Sequence, residues 1–213
     1  MLRLVAFDMD GTLVDVASSW RVVHDHFGDH NDEGLRRFLA NEIDDIEFIR
    51  SDVRIWKKHA PELTIGDLDR ILAGVPLMPG ARDLVRGLRA RGARTAIVSG
   101  GLDLLARRVA RELGIDIALA NGVRVTSAGH LTGDGIVRVP IHGKEGVLAG
   151  LQEQLKVRPE ETASVGNSEI DVGLFRASRV RVAFCPQDEI VVAHATSVVD
   201  EKDLRKVLPA LKD

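Results

Sequence analysis

Asp8 and Asp10 stand two apart at the end of an apolar run over 2–7, and Gly11 follows them. Side chains two apart on an extended chain share a face, so both carboxylates address one site. At about 4 Å and an effective dielectric near 20 they repel by roughly 4 kcal/mol. A lysine or a bound cation relieves that repulsion. Hard oxygen donors suit Mg2+, which takes one or two carboxylates and keeps waters and phosphate oxygens. An aspartate can also attack phosphorus, and a neighbouring acid can protonate the leaving oxygen and then activate water. Ser99, with the amides of Gly100 and Gly101 ahead of an expected helix, forms a phosphate cradle. Lys144 supplies positive charge for phosphoryl transfer, and Asn167, Glu169 and Asp171 add further oxygen donors.

These residues need elements that bring them together. The run over 2–7 reads as a buried strand broken by the Gly11 turn, and short strands are expected at 95–98, 117–120, 163–165 and 180–184. Segments 123–126 and 136–141 read as hairpin arms around Gly129, Gly133 and Gly135. Helical spacing is expected over 81–91, 102–113, 143–155, 169–177, 189–195 and 203–211. Alternating strands and helices predict an α/β fold, a Rossmann-like doubly wound and mostly parallel sheet that binds ligands at the carboxyl ends of its strands. The stretch 16–75 lacks strand-like runs and spaces Ile43, Ile46 and Ile49 helically. It is expected to be a small helical cap inserted after the first strand, with 1–15 and 76–213 forming the core.

Composition narrows the function classes. The chain has 213 residues, 45% hydrophobic and 29% charged, which excludes disorder over most of its length. A net charge of −3 argues against nucleic acid as a partner. One cysteine, Cys185, excludes a disulfide scaffold and fits a reducing, cytoplasmic location. No stretch approaches 18 apolar residues and the N-terminus does not read as a signal peptide, so no membrane partner is expected.

Four motifs then carry a resemblance. Asp8-Met9-Asp10-Gly11-Thr12-Leu13-Val14, Ile97-Val98-Ser99-Gly100-Gly101, Lys144, and Val165-Gly166-Asn167-Ser168-Glu169-Ile170-Asp171 occur in the order of the haloacid-dehalogenase superfamily of phosphatases. The chain resembles the phosphoserine-phosphatase-like members in particular, through Ala120-Asn121-Gly122, 129–133 and 182–185. That resemblance implies Asp8 as nucleophile, Asp10 as general acid and base, and Ser99, Gly100 and Lys144 on the phosphoryl oxygens. It implies Mg2+ held through Asp8, Asp10, Asn167 and Asp171, and Arg54 as a cap residue for a substrate carboxylate. The substrate implied is a small phosphorylated metabolite, with phosphoserine one candidate, handled by a monomer or homodimer. Two positions depart from the pattern: Asn167 stands where most members carry Asp, and Ala17 where phosphoserine phosphatases carry Glu.

Each residue alone has a plainer reading. Asp-x-Asp-Gly is usually a turn, Ser99 a helix cap and Lys144 a solvated lysine; agreement among four separated motifs sets those readings aside. His24, His26 and His30 are spaced for a solvated patch rather than a metal cluster. Trp20 and Trp56 are expected to anchor the cap core, and Cys185 to be a buried small hydrophobe. Two other functions stay open: a phosphotransferase or mutase, and a metabolite-binding protein without turnover.

Overall fold

The computed structural model describes residues 1–211. A seven-stranded sheet has the order β4-β3-β2-β1-β5-β6-β7. The strands are β1 (Leu4–Phe7), β2 (Arg94–Leu102), β3 (Ile117–Val125), β4 (Leu131–Ile136), β5 (Thr162–Gly166), β6 (Val180–Phe184) and β7 (Ser197–Val199). All pair in parallel except β3 with β4. The order reverses beside β1, between β2 and β5, so the three strands carrying Asp8, Ser99 and Asn167 end at one edge.

Strand periodicity builds a core on each face. Val5 and Phe7 of β1 join the larger apolar cluster, and Leu4 and Ala6 join the smaller one. Both faces are therefore covered, as a parallel sheet requires. Five helices serve the sheet: α5 (Ala81–Ala90), α6 (Asp103–Leu113), α7 (Lys144–Leu155), α8 (Val172–Arg176) and α9 (Glu189–His194).

Four more lie between β1 and α5: α1 (Ser19–Phe27), α2 (Asp32–Leu39), α3 (Asp45–His59) and α4 (Ile65–Leu72). Each is started by a side chain that accepts a first-turn amide, from Ser18, Asn31, Asp44 and Thr64. Such caps contribute about 1 kcal/mol apiece. Val23, Ile49, Val53, Trp56, Leu68 and Leu72 from these helices pack in the same cluster as Met9 and Leu13. The β3–β4 hairpin reaches this layer as well. Ile65 donates its amide to Gly129 and Leu131 donates to Leu63, both at 2.9 Å, and Lys57 Nζ donates to the Leu131 carbonyl at 2.7 Å. Gly135 presses on α3, where an added Cβ would come within 2.7 Å of Ile49.

Several boundaries differ from the sequence expectations. β2 runs on through Ser99-Gly100-Gly101, and β3 is one strand where two short ones were expected. The second hairpin arm is 131–136 rather than 136–141. The reason is Asn121, whose side-chain oxygen accepts the amides of Arg138 and Val139, both at 2.9 Å, and so captures the following segment as a loop. The expected helix over 169–177 divides because Asp171 turns back to accept the Asn167 and Ser168 amides, closing a 3-10 turn before α8. Over 203–211 only a 3-10 turn, Leu204–Val207, forms. The three-residue β7 has too little pattern to be read in advance.

Candidate active site

Asp8 continues β1 by donating its amide to the Val165 carbonyl at 2.9 Å, which points its side chain past the sheet edge. The chain then folds tightly: the amides of Thr12, Leu13 and Val14 all converge on the Met9 carbonyl. Gly11 makes this possible with φ +76°, and a Cβ there would lie 2.2 Å from the Asn167 side chain. Glycine thus brings the first and last motifs into contact.

Lys144, the first residue of α7, is buried and donates to Asp8 Oδ1 at 2.7 Å and to Asp171 Oδ1 at 2.6 Å. With both carboxylates ionised, one ammonium between them leaves a negative charge uncompensated, and Asp10 adds another. Burial, with Asp171 and Asp10 nearby, pushes Asp8 up to about 7 against the pull of Lys144. Burial alone would lower Lys144, but Asp171 and Asp8 outweigh it and hold the ammonium firmly charged. Burial also raises Asp10, opposed by hydrogen bonds from Ser19.

Asp10 Oδ2 accepts the backbone N–H and the hydroxyl of Ser19, each at 2.8 Å. Its Oδ1 is buried with no hydrogen-bond partner among the described residues. The Ser19 hydroxyl also accepts the Leu102 amide at 2.9 Å. Gly101 leaves room for this knot, since a Cβ there would lie 2.6 Å from Asp10 Oδ2 and from Ser19 Oγ. Ser99 Oγ accepts the Gly101 amide at 3.1 Å, and the Gly100 carbonyl accepts Trp20 Nε1 at 2.9 Å.

These groups surround a cavity of about 670 Å3, which Asp8, Asp10, Ser99, Gly100, Lys144 and Asn167 all line. The excess carboxylate charge and an Asn167 side-chain amide with no hydrogen bond among the described residues fit a divalent cation. Asp171 departs from the ligand role expected of it. Both its oxygens are engaged, by Lys144 and by the amides of Asn167 and Ser168, so it positions the lysine and the loop.

Arg54 is not brought to the cavity. It lies on the exposed side of α3 and pairs with Glu47 at 3.1 Å. The helix turns Asp45, Phe48, Ile49 and Asp52 inward instead, a spacing of three, four and seven that marks one helical face.

The histidines correct a second expectation. His30 is partly exposed, but His24 is buried and lines the cavity. Its Nδ1 meets the Asp29 carbonyl at 2.8 Å and its Nε2 meets Asp52 Oδ1 at 2.9 Å. A backbone carbonyl and a carboxylate both accept, so this geometry favours the doubly protonated imidazolium. Burial works against that charge, and the Asp52 hydrogen bond and carboxylate outweigh it to raise the pKa. The signal available in the sequence was Asp52 at helical register with Ile49 and Trp56 on a stripe otherwise apolar. Trp20 and Trp56 stack with centroids 5.6 Å apart. Cys185, just beyond β6, is half-buried rather than buried.

The family model for haloacid dehalogenase-like hydrolases matches residues 5–176. The chain belongs to that family. Among its relatives it is similar to the phosphoserine phosphatase of Wolinella succinogenes, 28% identical over 99% of this chain and 100% of the relative. The phosphoserine phosphatase of Methanocaldococcus jannaschii is 25% identical over 99% and 98% of the two chains. A solved phospho-aspartyl intermediate analogue of phosphoserine phosphatase superposes with a TM-score of 0.82 at 25% identity, covering 99% of both chains. The protein is a hydrolase of phosphatase type, and phosphatases of this family are generally metal-dependent. Among the described residues no helix is long and apolar enough to cross a membrane.

Proposed function

We propose that this enzyme is a Mg2+-dependent phosphomonoester hydrolase that cleaves a small phosphorylated metabolite through an aspartyl-phosphate, in the cytoplasm. The observation that carries the reading is the division of labour between two aspartates, Asp8 buried and Asp10 half-buried. Asp8 has one oxygen held by Lys144, and Asp10 has one held by Ser19. Each keeps its second oxygen for the reaction.

Asp8 Oδ2 attacks phosphorus while the bond from phosphorus to the leaving oxygen breaks. Asp10, favoured in its protonated form by burial, gives its proton from Oδ1 to that leaving oxygen. The resulting carboxylate then takes a proton from water, whose oxygen attacks phosphorus and breaks the bond to Asp8. Inorganic phosphate leaves and Asp10 regains its proton. Lys144, Ser99 and the Gly100 amide hold the equatorial phosphoryl oxygens. The cation would be held by the Asp8 carboxylate, the Asp10 carbonyl and the Asn167 side chain, and when bound it neutralises charge on the phosphoryl group. Residues 16–75 act as the cap that closes over the cavity, excludes water and contacts the leaving group.

Release of inorganic phosphate from p-nitrophenyl phosphate tests this. Asp8→Asn abolishes turnover and EDTA does the same, with activity restored by added Mg2+. Full activity in the variant, or in EDTA, sinks the proposal.

A further inference from the structure

We infer that the leaving group carries an ammonium and no carboxylate, and that Asp52 is the residue that reads it; this rests on the phosphomonoester hydrolysis proposed above. Asp52 is 4% exposed, sits one face of α3 along from Asp45, and lines the same cavity as Asp8. Its Oδ1 accepts His24 Nε2 at 2.9 Å and Asn31 Nδ2 at 2.8 Å. Its Oδ2 has no hydrogen bond among the described residues and is not sealed from the cavity. A carboxylate oxygen that opens on the cavity with no donor from the protein is free to take one from a ligand, and a charged donor makes the stronger hydrogen bond.

Among the described residues no donor is bonded to that oxygen. The His24 imidazolium spends both N–H groups, on Asp52 Oδ1 and on the Asp29 carbonyl. Arg21 is 65% exposed and pairs with Asp25 at 3.6 Å, and His30 pairs with the same carboxylate at 3.7 Å. Asp45 uses Oδ1 on the Ile141 amide and adds negative charge on the same face. A leaving group with its own carboxylate would meet two like charges here. One with a hydroxyl would satisfy a hydrogen bond but gain little from the two acids on this face, of which Asp52 is paired with His24 and Asp45 with no cation among the described residues. An ammonium supplies the hydrogen bond and a charge opposite to that of the two acids, Asp45 and Asp52.

Phosphate release in Mg2+ is measured on phosphoethanolamine, phosphoserine, 3-phosphoglycerate, glycerol 3-phosphate and p-nitrophenyl phosphate. The expected kcat/KM is highest for phosphoethanolamine, by about tenfold over the other three metabolites, the selectivity of one charged hydrogen bond. Asp52→Asn keeps the shape and removes the charge. It should lower the ratio of kcat/KM for phosphoethanolamine to that for p-nitrophenyl phosphate by about tenfold. If phosphoserine, 3-phosphoglycerate or glycerol 3-phosphate matches or exceeds phosphoethanolamine, the inference is overturned while hydrolysis stands. An unchanged ratio in the variant overturns it too. The wild-type ranking needs no variant to fold. Absence of turnover on every substrate, p-nitrophenyl phosphate included, overturns the hydrolysis reading and this inference with it.

Discussion

Ser19 gives both its backbone N–H and its hydroxyl to a single oxygen of Asp10, each at 2.8 Å. The start of α1 is therefore fastened to the acid that the proposed reaction needs, and the same hydroxyl receives the Leu102 amide from the end of β2. Ser19→Ala removes a donor to the carboxylate and strands a buried amide. A lost hydrogen bond to a charged group costs about 1.5–3 kcal/mol, so kcat should fall by roughly 10- to 100-fold. The alkaline limb of the kcat/KM profile should move to higher pH, because Ser19 holds the Asp10 pKa down against burial. An unaltered profile would show that Ser19 is only a helix start.

Gly101 is a position where a single methyl group would strike the site directly. A Cβ would lie 2.6 Å from Asp10 Oδ2 and 2.7 Å from Met9, too close for real contacts. Displacing the acid by about 1 Å is the kind of shift that costs on the order of 100-fold in rate. Gly101→Ala should lose activity to that extent, with circular dichroism unchanged in the far ultraviolet. Retention of normal kcat would mean that Asp10 tolerates movement and is not the acid.

Asn167→Asp adds a carboxylate to a site that already has an excess. Without metal the variant should melt lower than wild type, by roughly 2–4 °C per kcal/mol of added repulsion. With a cation the sign reverses, since ligand charge raises affinity for a hard ion. The Mg2+ concentration for half-maximal activity should fall by about tenfold, a 1.4 kcal/mol gain. A melting point that falls equally with and without Mg2+ would place Asn167 outside the ion's reach.

The His24–Asp52 pair predicts a pH dependence of stability. His24 is raised above 6.5 in the folded chain, so the protonated ring is favoured by folding. That contribution is complete below 6.5 and is lost as the pH rises through the raised value. Between pH 6 and pH 9 the wild type should therefore lose more thermal stability than His24→Asn. Parallel curves for the two proteins would count against an ionic pair.

Arg54 supplies a control. It is exposed and, among the described residues, pairs only with Glu47, and surface pairs contribute little. Arg54→Ala should leave kcat/KM within about twofold on every substrate, the range of ordinary surface changes. A larger loss would return Arg54 to the cavity.

The contrast between Arg54 and Asp52 shows where sequence reasoning reached and where it stopped. Asp8, Ser99, Lys144 and Asn167 end or follow regular elements, and alternation alone brings those ends to one edge of a parallel sheet. The α3 face is different, because residues two apart on a helix point apart, and which face turns inward depends on packing against β4 and α1. Charge favours Arg54 as the cap residue, but helical register turns Asp52 inward in its place. His24 was misread for the same reason: its burial and both partners come from α3 and the loop at Asp29. The strand boundaries around Asn121 were illegible because a long-range side-chain contact decides them.

The β3–β4 hairpin bears on how this protein could be rebuilt. Its tip is stitched into the turn between α3 and α4, and its second strand carries the glycine on which Ile49 rests. Transplanting a different leaving-group pocket onto this sheet by exchanging 16–75 alone would set new helices on a foreign ledge. The heritable module is discontinuous: the helices and the hairpin must travel as a matched pair.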